Sequence, residues 1–129
     1  MIEIKKTSQK EIYDQLGFPE SSVAMAAVES GEVLGGGAVT ICDGYAVLEN
    51  IVMKDEYKLF NLEFGIGKSL LNMLDLSGVR YVCSNLADER LMTSLRFKTD
   101  DEFPDGVMPK ENYKYFLCLD GYFTGEHCS

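Results

Sequence analysis

The stretch from residue 45 to residue 76 decides the fold that we expect for this chain, and it reads YAVLENIVM, KDEYKLFNLEF and GIGKSLLNMLDL. Its first part, 45–53, is apolar and rich in Val, Ile and Leu, which predicts a buried β-strand. Its last part places Ile66, Leu70 and Leu74 four residues apart, the spacing of one helix face. We therefore predict a strand at 45–53, a glycine turn at 65–69 and a helix at 67–76.

The two glycines before this helix predict an anion-binding turn. Gly65 and Gly67 let the backbone come close to a ligand, and the first N–H groups of a helix lack intrahelical partners and carry partial positive charge. Such a turn most often binds a phosphate group. The turns of P-loop nucleotide hydrolases and of dinucleotide-binding domains do not fit, because Leu62 and Leu70 stand where those motifs require glycine.

The remaining sequence alternates short strands with two more helices. Ser8 and Glu11 resemble a capping box that begins a first helix, which Gly17 would end. Asn85 would cap a third helix at 86–97. The patterns further predict strands at 2–5, 23–28, 33–42, 79–84 and 113–119, a polar loop at 99–112 and a short return at 122–123.

The connections between these elements predict the sheet topology. Asp43-Gly44 is a two-residue hairpin signal, so the strands at 23, 33 and 45 should form an antiparallel meander. Three consecutive glycines at 35–37 indicate a bulge or a close backbone approach. A strand, a helix and a strand between 45 and 84 form a β-α-β unit with parallel strands. We expect one domain over 1–129 of the α/β (α+β) class, with a mixed, largely antiparallel central sheet, helices on both faces and one parallel pair.

The charge of the chain excludes some classes of partner. The net charge is −9, from 21 acidic and 12 basic residues, and such a surface repels nucleic acid and anionic lipid. It would favour a cationic partner such as an amine. No apolar run approaches the roughly 18 residues of a membrane span, and the N-terminus lacks the pattern of a signal peptide. We expect no nucleic-acid or membrane role and a cytoplasmic location.

The four cysteines do not indicate a metal site. Cys42, Cys83, Cys118 and Cys128 contain no C-x-x-C spacing, and His127 is the only histidine, so zinc binding is not expected. Three of the cysteines lie in apolar, strand-like runs, where a reduced and buried thiol is usual. We assign no role to Cys128.

Two segments of this chain resemble the GNAT acetyltransferase family. LENIVMKDEY followed by FGIGKSLL, at 48–57 and 64–71, is similar to the family's strand and the acyl-CoA pyrophosphate loop after it. Asn85 followed by LMTSLRF at 91–97 is similar to the segment in which an Asn precedes L-Y-x-x-L-G-F. With the hairpin at 43–44, the resemblance covers most of 23–97 and implies the GNAT fold.

The resemblance also implies a function and a set of site residues. It implies transfer of an acetyl group from acetyl-CoA to an amine of a small molecule or a peptide, with Glu49 as the catalytic base and a backbone N–H near Val52 as the oxyanion donor. The gap between the two parallel strands would hold the pantetheine arm, because unpaired strand amides need partners. The implied cofactor-binding residues are Ile51, Val52, Met53, Phe64, Gly65, Ile66, Gly67, Lys68, Ser69, Asn85 and Met92.

Three positions depart from the family pattern and leave alternatives open. Leu62 replaces the Gln or Arg that begins the pyrophosphate loop, Met92 replaces the Tyr that is often the general acid, and Arg96 replaces a Gly. Met has no proton to give, and Tyr81 or Tyr115 could replace it only by residue type. The alternatives are a GNAT-fold protein that binds CoA or a protein partner without catalysis, and an interaction domain that dimerises through 113–123.

Overall fold

The computed structural model describes residues 1–99 and 109–124 of the chain, apart from the side chains at 60 and 110. These described residues form six strands and three α-helices. The elements in chain order are β1 (Glu3–Thr7), α1 (Lys10–Leu16), β2 (Val23–Glu29), β3 (Glu32–Ile41), β4 (Ala46–Met53), α2 (Phe60–Leu76), β5 (Tyr81–Ser84), α3 (Glu89–Ser94) and β6 (Tyr115–Cys118). Short 3₁₀ turns lie at Asp55–Tyr57 and Lys110–Asn112. None of the helices within the described ranges is long and apolar enough to cross a membrane.

All six strands form one sheet in the order β1-β2-β3-β4-β5-β6. Every neighbouring pair is antiparallel except β4 and β5, which are parallel. The predicted meander and the predicted β-α-β unit are therefore confirmed. The hairpin turn between β3 and β4 is also where it was predicted, and Gly44 has φ of +85° there, a conformation that glycine adopts without strain.

Helices cover both faces of the sheet, as the sequence predicted. Gly36 and Gly37 are neighbours in β3 and face opposite sides: Gly36 lies under the Leu16 side chain of α1, and Gly37 lies under Leu70 of α2. The main core lies on the α2 and α3 side, and a smaller cluster containing Tyr13 lies under α1. The glycines of β3 thus serve close approach, because side chains there would overlap the helices or the neighbouring strands.

Helix α2 begins at Phe60, seven residues before the predicted start, and this is the largest difference from the sequence prediction. The helical spacing extends upstream, since Leu62 packs against the main core one turn before Ile66. Gly65 and Gly67 consequently lie inside the helix. The prediction of a glycine turn before the helix is wrong.

The other helices are shorter than predicted. Helix α1 has Gln9 at its N-cap without a side-chain cap bond, so the predicted capping box does not form, whereas Gly17 ends the helix as expected. Helix α3 is capped by Asp88, whose carboxylate accepts from the N–H of Leu91 at 3.0 Å. Residues 122–123 form part of a turn instead of a strand. Most of the predicted loop at 99–112, together with His127 and Cys128, lies outside the described residues.

Candidate functional site

Strand β4 separates from strand β5 after three residue pairs. The parallel pairing begins at Ala46 and ends at Leu48, whereas β4 continues to Met53. At the end of the pairing, the buried Ser84 hydroxyl donates to the Leu48 carbonyl at 2.8 Å and accepts from the N–H of Leu86 at 3.1 Å. This side chain takes the place of the next interstrand hydrogen bond. We call the space beside residues 49–53, on the β5 side, the β4–β5 gap.

The backbone of β4 presents its groups alternately to β3 and to the gap. The Lys54 N–H donates to the Leu34 carbonyl of β3 at 2.8 Å, and N–H directions alternate along a strand. The N–H of Val52 therefore points to β3, and the N–H groups of Ile51 and Met53 point to the gap. The oxyanion donor that we expected near Val52 is thus better placed at its two neighbours.

One of these gap-facing groups has a partner from its own strand. The N–H of Ile51 donates to the side-chain oxygen of Asn50 at 2.9 Å. Asn50 is exposed, and the Ile51 side chain is mostly buried. A ligand carbonyl that binds to the Ile51 N–H has to displace the Asn50 amide.

The candidate base Glu49 lies at a bulge in β4. Asn50 pairs with Ala38 and Leu48 pairs with Val39, so Glu49 is the extra residue between them. Its carboxylate is exposed and accepts from the Thr40 hydroxyl at 2.6 Å. The bulge and this hydrogen bond to a residue of β3 fix the position of the carboxylate beside β4.

Two groups near Glu49 lie on the sheet face opposite α2 and α3. Burial, then the nearby thiols, and then the Glu49 charge raise the pKa of Tyr113. The pKa of the buried Cys83 thiol is raised to about 12, chiefly by burial, then by Cys42 and Glu49. Both groups therefore stay protonated at neutral pH. The base candidate and the main core thus lie on opposite sides of β4.

The six predicted cofactor-binding residues at 64–69 point in three directions from helix α2. Gly65 lies against Ile4 of β1, and Ser69 lines a groove beside the same strand. Ile66 faces the sheet. Gly67 lies against Leu95, just after α3, and against Ile51 of the gap. Phe64 and Lys68 are on the same side as Gly67, and the Lys68 ammonium group lies over the Phe64 ring and over the ring of Tyr122 in the C-terminal turn. The six residues do not form one loop.

The N–H groups at residues 64–69 are therefore not free donors, since an α-helix pairs them within itself. The unpaired N–H groups of α2 lie in its first turn, where Leu59 at the N-cap offers no side-chain bond. Glu63 follows in that region. Burial and then the nearby Asp88 charge raise the pKa of its carboxyl, while Lys58 acts in the opposite direction.

The segment after β5 places its two predicted site residues differently. Asn85 is exposed, and its amide group donates to the Asn112 carbonyl and accepts from the N–H of Lys114 at 2.9 Å. Met92 is fully buried in the main core. Of the two tyrosines considered as acids, Tyr115 pairs with Ser84 where the strands separate, and Tyr81 lies at the far end of β5.

The cysteines follow the sequence prediction in part. Cys42 and Cys83 are free thiols, half-buried and buried respectively. Cys118 is disulfide-bonded, so the expectation of a reduced thiol was wrong for this residue. Its strand pattern predicted burial but carried no information on pairing.

Sequence reasoning did not name three polar residues beside the gap, and it noted a fourth, Arg96, only as the replacement of a glycine. Thr40 donates a hydrogen bond to Glu49, and the Asn50 side chain accepts one from the Ile51 N–H. Ser84 lies where the pairing of β4 with β5 ends. Arg96 lies near Tyr122. Ser84 directly precedes Asn85 in the matched segment, which was the one available signal for it; the others depend on strand register or on contacts distant in sequence.

No protein-family model and no curated protein sequence matches this chain, but solved structures do. The ribosomal-protein-S18-alanine N-acetyltransferase of Escherichia coli aligns with a TM-score of 0.67 and 15% identity over 92% of this chain and 94% of that chain. A GNAT family N-acetyltransferase of Escherichia coli in complex with CoA aligns at 0.65 and 14% over 97% and 84%. A GNAT family acetyltransferase of Elizabethkingia anophelis with acetyl-CoA bound aligns at 0.58 and 13% over 91% and 94%.

Proposed function

Since the chain has the GNAT fold, we propose that it is an acyl-CoA-dependent N-acetyltransferase that transfers the acetyl group of acetyl-CoA directly to an amine. The observation that carries this proposal is the separation of β4 from β5 beyond Leu48. It leaves strand N–H and C=O groups without a strand partner in the middle of a sheet, and buried backbone groups need partners. The two amides of a pantetheine arm can supply them.

The residues beside the gap fit the donor substrate. Ile51 and Met53 direct backbone groups into the gap, and Gly67 of α2 contacts Ile51 without a side chain between them. A pantetheine arm would pair with these strand groups, and the Asn50 amide would release the Ile51 N–H. When bound, acetyl-CoA supplies the activated acetyl group. The N–H of Ile51 or of Met53 would stabilise the charge that develops on the carbonyl oxygen.

Glu49 is the proposed general base. An amine attacks only as the neutral species, so a proton passes from the ammonium group to the Glu49 carboxylate. The nitrogen lone pair then forms a bond to the acetyl carbon, and the C–S bond breaks with its electron pair on sulfur. The second proton, which the nitrogen loses as the amide forms, passes to the thiolate or to water. The Thr40 hydroxyl keeps the carboxylate oriented. A thiolate is a stable leaving group near neutral pH, so transfer does not require a tyrosine at position 92.

The acceptor is proposed to be the amine of a small molecule or a peptide. Glu49 is exposed on the sheet face opposite α2, so the acceptor would reach the thioester from that side. The net charge of −9 attracts cationic amines over distance.

Ligand binding tests the donor half of the proposal. Acetyl-CoA at about 100 times its dissociation constant should stabilise the folded protein by about 2.7 kcal/mol and raise the melting temperature. Calorimetry or thermal unfolding measures this. An unchanged melting temperature with millimolar acetyl-CoA contradicts the proposal.

Substitution of Glu49 tests the base. Glu49→Gln should reduce the rate of CoA release with a panel of amines by about 100-fold or more, the usual contribution of a general base. Acetyl-CoA binding should not change. Glu3→Gln, at an exposed position of β1, is the matched control. Equal rates for wild type and Glu49→Gln would exclude Glu49 as the base.

One observation favours a second candidate, a protein that binds CoA without transfer. Met92 is buried where the family usually has the phenol of the general acid. Saturable acetyl-CoA binding together with no amine-dependent CoA release across the panel would support this candidate.

A further inference from the structure

The Lys68 ammonium group lies in a cage of aromatic rings on the α3 side of α2. Its Nζ atom is 4.5 Å from the ring centre of Tyr122, 5.1 Å from that of Phe123 and 5.8 Å from that of Phe64. Rings at these distances attract a cation through their electron-rich faces. The side chain is partly buried, which holds the ammonium group in one place.

A second cation shares this cage. The Arg96 guanidinium group lies 5.5 Å from the ring centre of the same Tyr122. Burial and then repulsion by Arg96 lower the pKa of Lys68. The salt bridges among the described residues involve other groups, so neither cation has a carboxylate partner there. Within the described part of the chain, these two cations lie beside the same ring without a carboxylate partner, although the net charge of the chain is −9.

The surroundings hold the two cations in place. The Tyr122 hydroxyl donates to the Leu95 carbonyl at 2.8 Å, which fixes the shared ring against the end of α3. Arg96, the next residue, has φ of +68°. This left-handed conformation is strained for a residue with a side chain, whereas glycine adopts it without strain. The Arg96 N–H donates to the Thr93 carbonyl and the Phe97 N–H donates to the Met92 carbonyl, both at 3.0 Å, so these bonds hold the backbone of Arg96 at the end of α3.

We propose that Lys68 and Arg96, with the rings of Tyr122 and Phe123, form a binding site for a phosphomonoester dianion, and that in the proposed acetyltransferase this anion is the 3′-phosphate of CoA. This proposal rests on the proposed function. The resemblance assigned the pyrophosphate of CoA to the loop N–H groups at 64–68, which α2 pairs within the helix. The side-chain cations would hold a different phosphate group of the same ligand.

Charge and position both favour this ligand. A phosphomonoester carries about −1.5 to −2 at pH 7, which matches two cations, whereas a carboxylate carries only one charge. Gly67 joins the cage to the gap, because it precedes Lys68 and contacts Ile51. Phe123 is 39% exposed and offers a ring face on which a nucleotide base can stack.

The experiment compares CoA with dephospho-CoA, which lacks only the 3′-phosphate. Calorimetry should show that the wild-type protein binds CoA about tenfold or more tightly than dephospho-CoA, as loss of a charge-assisted contact predicts. In Lys68→Met and in Arg96→Gln, this ratio should fall to about one. Lys10→Met, an exposed lysine on α1, is the matched control and should keep the wild-type ratio. A wild-type ratio near one, or a ratio that both variants keep, overturns the proposal.

A separate arm distinguishes this proposal from the proposed function. If neither CoA form binds, the acetyltransferase proposal fails, and inorganic phosphate then probes the cage alone. Chemical-shift changes at the Lys68 and Arg96 side chains, with phosphate but not with chloride at equal ionic strength, would retain the anion site. No such changes would overturn it. If CoA binds with equal strength in wild type and both variants, the function stands and the anion site fails.

Discussion

At the scale of single residues, Arg96 combines a left-handed backbone conformation with a side-chain contact to an aromatic ring. Its positive φ costs about 1 kcal/mol that glycine would not incur. Two hydrogen bonds that end α3 compensate part of this cost, from the Arg96 N–H to the Thr93 carbonyl and from the Phe97 N–H to the Met92 carbonyl, both at 3.0 Å. The contact between the guanidinium group and the Tyr122 ring is a further one. The strain and the contact can be separated by comparing two truncations.

We predict that Arg96→Gly is about 1 kcal/mol more stable than Arg96→Ala, because both lose the guanidinium group and only Gly relieves the strain. Urea unfolding of the two variants measures the difference. Ser94→Gly and Ser94→Ala, in the last turn of α3, are the control pair. There the Ala variant should be more stable than the Gly variant by about 0.5 to 1 kcal/mol. If Ala were also more stable at position 96, the left-handed conformation would be wrong.

At the scale of elements, helix α2 carries two glycines that its propensity alone does not explain. Each interior glycine costs about 1 kcal/mol relative to alanine. A Cβ atom at Gly67 would lie 2.8 Å from Cδ1 of the fully buried Leu95. At Gly65 it would lie 3.2 Å from the end of the partly exposed Ile4 side chain. Gly67 allows α2 to pack against the end of α3, whereas at Gly65 only the end of the partly exposed Ile4 side chain has to move by a few tenths of an ångström.

We predict opposite effects of alanine at these two positions. Gly65→Ala should stabilise the protein by about 0.5 to 1 kcal/mol through helix propensity. Gly67→Ala should destabilise it by about 1 kcal/mol, because overlap with Leu95 exceeds the gain in propensity. Urea unfolding measures both, and each variant is the other's control. In a glycine turn before the helix, Gly65→Ala would not be stabilising.

The same helix shows which parts of the fold were predictable. The β-α-β unit and the hairpin follow from local patterns, so β4, β5 and their parallel pairing were placed correctly. The start of α2 was placed too late. The low helix propensity of two glycines can be seen in the local sequence, whereas the packing of Gly67 against Leu95 joins segments that are distant in sequence. The N-cap of α3 was missed for a similar reason. Asn85 and Asp88 are both residue types that cap helices, but the Asn85 side chain instead binds the carbonyl of Asn112, 27 residues away.

The candidate site divides in the same way. Glu49 could be named from its position on the key strand, and its role stays a prediction. Its contact with Thr40 depends on the bulge in β4, which no local pattern marks. The pairing of Arg96 with Tyr122 joins two distant segments, so the sequence presented Arg96 only as a missing glycine.

At the scale of the whole molecule, the net charge of −9 acts on any charged acceptor before contact. The field extends about 10 Å at 0.1 M salt and further at lower salt. It attracts amines and repels anionic donors, so the described cation pair at Lys68 and Arg96 is a local exception to the overall field. The effects of salt on the two substrates should therefore differ in sign.

We predict that kcat/KM for a triamine acceptor falls several-fold between about 20 and about 300 mM NaCl, because screening removes the long-range attraction. A monoamine of similar size is the matched control and should show a smaller decrease. Steady-state CoA release at saturating acetyl-CoA measures both. Equal salt dependence for the two amines would show that the net charge does not guide the acceptor.

The polar side chains at the mouth of the gap have a consequence for the protein without substrate. A bare strand edge is a template on which a strand of another chain can add, and this is a common route to aggregation. Here the Asn50 amide and the Ser84 hydroxyl cover part of that edge. The β4–β5 gap can thus remain open to a thioester substrate, while the Asn50 and Ser84 side chains protect the protein against self-association through this strand.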